Sequence, residues 1–99
     1  MQILGLTFDD RRLDIICRRY GIARLDVFGS VSRGDANASS DVDVLYELAP
    51  GSTIGWHIET LTDELSEVLG RSVDLVSRRA LHERLRERVI AEAQPLYAA

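Results

Sequence analysis

Two aspartates one residue apart, Asp41 and Asp43, close the segment GSVSRGDANASSDVD, which opens on Gly29 and Ser30. Neighbouring carboxylates repel and raise each other's pKa, a conflict that a hard divalent cation removes. In a strand, alternate side chains share a face, so both carboxylates project together, about 6.5–7 Å apart, while Val42 and Val44 turn toward a core. Glycine then serine at a strand end permits close backbone approach and adds a hydroxyl where amide groups favour phosphate. Arg33 follows one turn later and suits a phosphate contact, and Asp35 suits a turn. From these residues alone the segment is either a surface hairpin or a metal-dependent phosphate site.

Asp74 bears on that choice. It stands inside SVDLV, an otherwise apolar run, where a buried carboxylate without a partner costs several kcal/mol. If this run pairs beside 41–48, Asp74 completes a carboxylate trio. Three carboxylates and a phosphate loop make a two-metal site for in-line attack on a phosphoryl group. In such a site Asp41 and Asp43 bridge the metals, while Asp74 binds one of them and draws the proton from the incoming hydroxyl. D-x-D alone also occurs in glycosyltransferases and hairpins; the three features together are more specific.

The elements that must position these residues are legible from periodicity. Over 9–21, Leu13, Ile16, Cys17 and Tyr20 form one apolar helical face, and Gly21 is a C-terminal stop. IARLDVF (22–28) and DVDVLYEL (41–48) read as strands, the second broken by Ala49-Pro50-Gly51-Ser52. WHIETLTDELSEVLG reads as a central helix with Ile58, Leu61, Leu65, Val68 and Leu69 inward. RSVDLVS (71–77) is a third strand. ALHERLRERVIAEA is a last helix carrying Leu81, Leu85, Val89 and Ala93 on one side, stopped by Pro95. The order α-β-β-α-β-α predicts an α/β (α+β) fold, a small mixed sheet packed against helices.

Composition narrows the class. The 99 residues suit one domain, 1–99, and a 45% hydrophobic content supports a small core. A net charge of -4 without a dominant basic block disfavours tight nucleic-acid binding. All 12 basic residues are arginine, a side chain suited to bidentate anion contacts. Cys17 stands alone and fits a reducing compartment, and the N-terminal residues lack the basic start of a signal peptide. No apolar run approaches the roughly 20 residues that span a bilayer. The expectation is a cytoplasmic protein. His57 and His82 have no partners at metal-ligand spacing, and Arg79, Arg84, Arg86 and Arg88 interleave with Glu83 and Glu87 as a solvated helix face or a docking surface.

GSVSRGDANASSDVDVL resembles the signature of the nucleotidyltransferase superfamily, and in particular of its minimal nucleotidyltransferases. The likeness continues through LGRSVDLVS and ALHERLRERVIAEAQPLY. It implies a polymerase-β palm-like fold using ATP and Mg²⁺, two ions, with Gly29, Ser30 and Arg33 at the triphosphate and Asp41, Asp43 and Asp74 at the metals. Val31 and Asn37-Ala38 depart from the polar or basic residues common there. Many such proteins are antitoxins paired with a HEPN-domain ribonuclease toxin. The resemblance implies transfer of AMP from ATP to a tyrosine of that toxin; the alternative is a binding subunit that neutralises the toxin by occlusion.

Overall fold

The computed structural model describes residues 2–34 and 41–99; Asp35 and Asn37-Ala38 lie outside the described residues. The chain opens with a hairpin, β1 (Gln2–Ile3) and β2 (Leu6–Thr7), whose strands pair antiparallel. Its two turn residues, Leu4 and Gly5, both have positive φ, 52° and 78°, the backbone of a tight two-residue hairpin. Helix α1 (Asp10–Tyr20) starts where the Asp9 carboxylate accepts from the amides of Arg11 and Arg12. It ends at Gly21, left-handed at φ 70°.

Strand β3 (Ile22–Phe28) then runs into a short helix, α2 (Gly29–Arg33). Strand β4 (Val42–Leu48) returns antiparallel to β3, with Asp41 immediately before it. After a 3₁₀ turn at Gly55–His57, where Trp56 is exposed, helix α3 (Ile58–Leu69) leads to β5 (Val73–Ser77). Strand β5 is parallel to β4, as a helical crossover requires. Helix α4 (Glu83–Glu92) and strand β6 (Gln94–Ala98) complete a four-stranded sheet in the order β5-β4-β3-β6.

The expected mixed sheet under helices is observed, with three differences. Helix α4 begins three residues after Ala80, with His82 as its N-cap, and buries none of its residues; Leu85 is exposed. The segment after it is a strand, not a stop: β6 pairs antiparallel with β3 at the sheet edge. Pro95 is tolerated there because an edge strand can lack one ladder donor. The hairpin and α2 are short elements below the reach of periodicity.

Strand parity divides the sheet. Leu25, Val27, Val42 and Val44 point to one face and join Leu13, Ile16 and Cys17 of α1 and Leu61, Leu65, Val68 and Leu69 of α3 in the core. Ion pairs Arg19–Glu64 (2.8 Å) and Arg12–Glu67 (3.9 Å) tie the two helices at the rim. The opposite face carries the charged residues of the same strands together with Leu45, which is 1% exposed beside Asp26. No helix among the described residues is long and apolar enough to cross a membrane.

Candidate active site

The open face begins where β3 stops. Gly29 has φ 72°, and a Cβ there would run into the Asp43 carboxylate of β4. Only glycine combines that backbone with that approach. Phe28, the last residue of β3, is the register partner of Asp43, so the turn into α2 is folded over the acidic end of β4. Left-handed Gly34 ends α2 after five residues and turns the chain away.

Asp43 has a second register partner, Asp74 on β5. Partners in a parallel pair share a face, so the two carboxylates stand side by side on adjacent strands. The amide of Val42 donates to the carbonyl of Ser72 at 2.8 Å, which fixes the start of β4, and Asp41 before it, against the start of β5. Burial raises the pKa of Asp43, and the negative charges of Asp74 and Asp41 add to the shift; the positive charge of Arg33 opposes it. All three aspartates and Arg33 therefore act electrostatically on one spot.

An aspartate in the apolar run SVDLV predicts a buried carboxylate with a neighbouring partner. The neighbour is as expected, but Asp74 is exposed and Asp43 half-buried. The edge position of β5 leaves the Asp74 side chain in contact with water. Ser30 lies half-buried within α2, one residue from Gly29, and Arg33 lies exposed at its end.

Glu92, the last residue of α4, was not singled out from sequence, although it holds α2 in place. The guanidinium Nη1 of Arg33 is 3.3 Å from both Glu92 carboxylate oxygens, and the Ser32 hydroxyl donates to the Glu92 backbone carbonyl in a short hydrogen bond. Asp26 was also missed. It is 1% exposed on the open face, accepts from Arg24 Nε at 2.9 and 3.1 Å, and lies 3.6 Å from Arg78 Nη1. A carboxylate in the middle of LDV gave the same signal that drew notice at Asp74.

The donor set at Asp41, Asp43 and Asp74 fits a hard cation in its chemistry: oxygen ligands only, around an Asp43 whose pKa is raised first by burial and then by its two acidic neighbours. Among the described residues, no three His, Cys, Asp or Glu side chains converge closely enough to hold a metal ion. The carboxylates share a face rather than a finished coordination shell.

Comparison with known proteins gives a consistent answer. The model of the nucleotidyltransferase domain matches residues 10–97. A candidate protein adenylyltransferase of Methanocaldococcus jannaschii is 34% identical over 83 residues, 84% of this chain and 88% of the relative. Protein adenylyltransferase MntA of Thermococcus cleftensis is 36% identical over 74 residues, 75% of this chain and 74% of the relative. The solved structure of a candidate minimal nucleotidyltransferase superposes with a TM-score of 0.69 at 45% identity, covering 87% of this chain and 89% of that one. The complex of tri-AMPylated Shewanella oneidensis HEPN toxin with MNT antitoxin gives 0.62 at 22% identity, covering 91% of this chain and 70% of that one, a likeness of fold alone.

Proposed function

The chain belongs to the nucleotidyltransferase domain family, and from that premise we propose that it is an antitoxin that transfers AMP from ATP to a tyrosine hydroxyl of a HEPN ribonuclease, silencing it. One observation carries this reading: Asp43 is the register partner of Asp74 and abuts Gly29, so the acidic pair and the glycine turn form one site. Relatives named protein adenylyltransferase support transfer of AMP to a protein; the HEPN partner is carried over from the AMPylated toxin complex, which shares this fold.

In this reading residues 1–99 act as one minimal domain in the cytoplasm. Gly29 admits the triphosphate against the backbone, Ser30 offers its hydroxyl to a phosphate oxygen, and Arg33 adds positive charge at the end of α2. Asp41, Asp43 and Asp74 would hold Mg²⁺, which when bound neutralises charge developing on the phosphoryl oxygens. The acceptor hydroxyl oxygen forms a bond to the α-phosphorus, and the bond from that phosphorus to the β-phosphate oxygen breaks. Pyrophosphate leaves with the electron pair, and the hydroxyl proton passes to the Asp74 carboxylate. The exposure of Asp74 lets it reach an acceptor and return the proton to water.

The test is incubation with α-labelled ATP, Mg²⁺ and a HEPN-domain toxin that binds the chain. Label is expected on a tyrosine of that protein; absence of label on a folded, bound partner overturns the reading. Asp43→Asn separates transfer from occlusion: a variant that binds the toxin without silencing it supports transfer, and one that still silences it supports occlusion.

A further inference from the structure

A transfer site that acts on another protein must also hold that protein, and the open face has a second feature suited to the task. Beyond the carboxylates, a groove of about 330 Å³ is lined by Glu47, Arg78, Arg79, Arg86 and Ile90. Its floor comes from β4 and the residues leaving β5, and its wall is α4. Asp43 to Glu47 and Asp74 to Arg78 are each four strand residues, about 13 Å at 3.3 Å per residue. The strands thus lead from Asp43 and Asp74 to a mixed end, Glu47 on β4 and Arg78 and Arg79 just after β5.

This end is built rather than incidental. Buried Asp26 draws Arg78 inward to 3.6 Å, and the amide of Arg78 donates to the carbonyl of Tyr46 at 2.9 Å, continuing the sheet. Arg86 reaches from α4 to the carbonyls of Arg79 and Leu81, each at 3.4 Å. The lining itself holds three arginines, Arg78, Arg79 and Arg86, against one glutamate, Glu47, a positive surplus within a chain of net -4. Helix α4 buries no residue and exposes Leu85 and Ile90 among these charges. Arginine is enriched at protein-protein interfaces, and Ile90 adds apolar surface beside it. At its other end α4 delivers Glu92 to Ser32 and Arg33, so the groove wall leads to the acidic site.

We propose that this groove docks an acidic segment of the acceptor protein, with glutamates or aspartates about four extended residues from the hydroxyl presented at Asp43 and Asp74. The proposal rests on the open face being a transfer site; the arginine end supplies acceptor choice, and the acidic end supplies chemistry.

The experiment measures binding of a fluorescent poly(Glu,Tyr) copolymer, with poly(Lys,Tyr) and a single-stranded RNA of equal length as comparators. Mg-AMP-PNP binding is measured in parallel. Wild type is expected to prefer poly(Glu,Tyr) over poly(Lys,Tyr) by at least tenfold, weakening with salt, as attraction between opposite charges does. The R79E/R86E double variant is expected to lose at least tenfold in copolymer affinity with Mg-AMP-PNP binding unchanged. Because Arg86 also touches backbone carbonyls, R79E alone, whose side chain is exposed, gives a second reading, accepted when its thermal midpoint matches wild type. Equal copolymer binding by wild type and folded variants overturns the proposal, as does wild type binding neither copolymer. Tighter binding of RNA than of poly(Glu,Tyr), lost in the variants, overturns it in favour of a nucleic-acid surface. Copolymer binding by a wild type that fails to bind Mg-AMP-PNP leaves the docking surface standing and sinks the transfer-site reading instead.

Discussion

The two faces of the sheet are made by the same strands and differ in almost everything else. On the helix-covered face Val27, Val42 and Val44 are wholly buried and Leu25 nearly so, closed over by α1 and α3. On the other face the alternate positions hold Asp43, Asp74, Glu47, Arg24 and Asp26, with Leu45, paired to Asp26 and 1% exposed, buried among them. Period-two alternation makes this division possible without extra chain. A domain of this size has few kcal/mol to spare, and it can carry repelling carboxylates on one face only because the other is packed without polar interruption. Substitutions on the covered face should therefore register in stability, and those on the open face in chemistry.

The sharpest test of the division is Asp43→Asn. If Asp43 belongs to the transfer machinery, the rate of AMP transfer should fall by about a thousandfold or more, about 4 kcal/mol in barrier at 1.36 kcal/mol per tenfold. The thermal midpoint should hold or rise, because the substitution removes a carboxylate held against two others. A large drop in midpoint would show that the open face also carries stability at this position.

Leu65→Ala is the converse. Leu65 is fully buried in α3, and truncation of a core leucine costs about 2–5 kcal/mol through lost transfer energy and the cavity left behind. Denaturant titration should show that loss, with the transfer rate per folded molecule unchanged. A reduced rate in fully folded protein would mean that packing on the covered face sets the geometry of Asp43 and Asp74.

How far each face was legible from sequence follows from the same contrast. The covered face writes itself in periodicity, so α1, β3, β4, α3 and β5 were all readable within a few residues. The acidic cluster was readable because strand parity fixes which side chains share a face, and because an Asp in an apolar run draws notice. Asp74 and Asp26 give the same signal in sequence, yet Asp74 is exposed and Asp26 buried; strand order, which periodicity does not reveal, puts Asp26 in an interior strand and Asp74 at an edge. The Glu92 link to α2 joins residues about sixty positions apart, and β6 was hidden by Pro95, because an edge strand tolerates what an interior one does not.

Asp26 is where the division of labour should bend. Its carboxylate sits on the open face yet is almost unexposed, held by Arg24 at 2.9 Å and Arg78 at 3.6 Å. Removing one partner of a buried charge is worse than removing the charge, because the remainder stays desolvated. Arg24→Met should cost about 2 kcal/mol, below the full value for a sealed pair because Arg78 remains. Asp26→Asn should cost about 1 kcal/mol or less, since both arginines can turn to water. Equal costs in urea titrations would argue that the pair, rather than the desolvated carboxylate, sets the energy.

The most conditional effect belongs to Cys17, on the covered face: it is absent at neutral pH and appears only in alkali. Burial, with a contribution from Asp14, pushes its thiol from 9.0 up to about 12. The folded chain therefore keeps a proton that the unfolded chain releases above pH 9. Stability contributed by the neutral thiol is fully present below that pH and is lost progressively as pH rises toward 12. At pH 10 the loss should be about 1.4 kcal/mol, one pH unit's worth. Tyr20 and Tyr97 are also shifted upward and add to the alkaline slope, so the measurement is the difference between wild type and Cys17→Ala. That variant carries a constant cavity cost, and only the thiol's part changes with pH. Parallel stability curves from pH 8 to 11 would show that Cys17 reaches solvent in the native state and that the covered face is looser at α1 than its packing indicates.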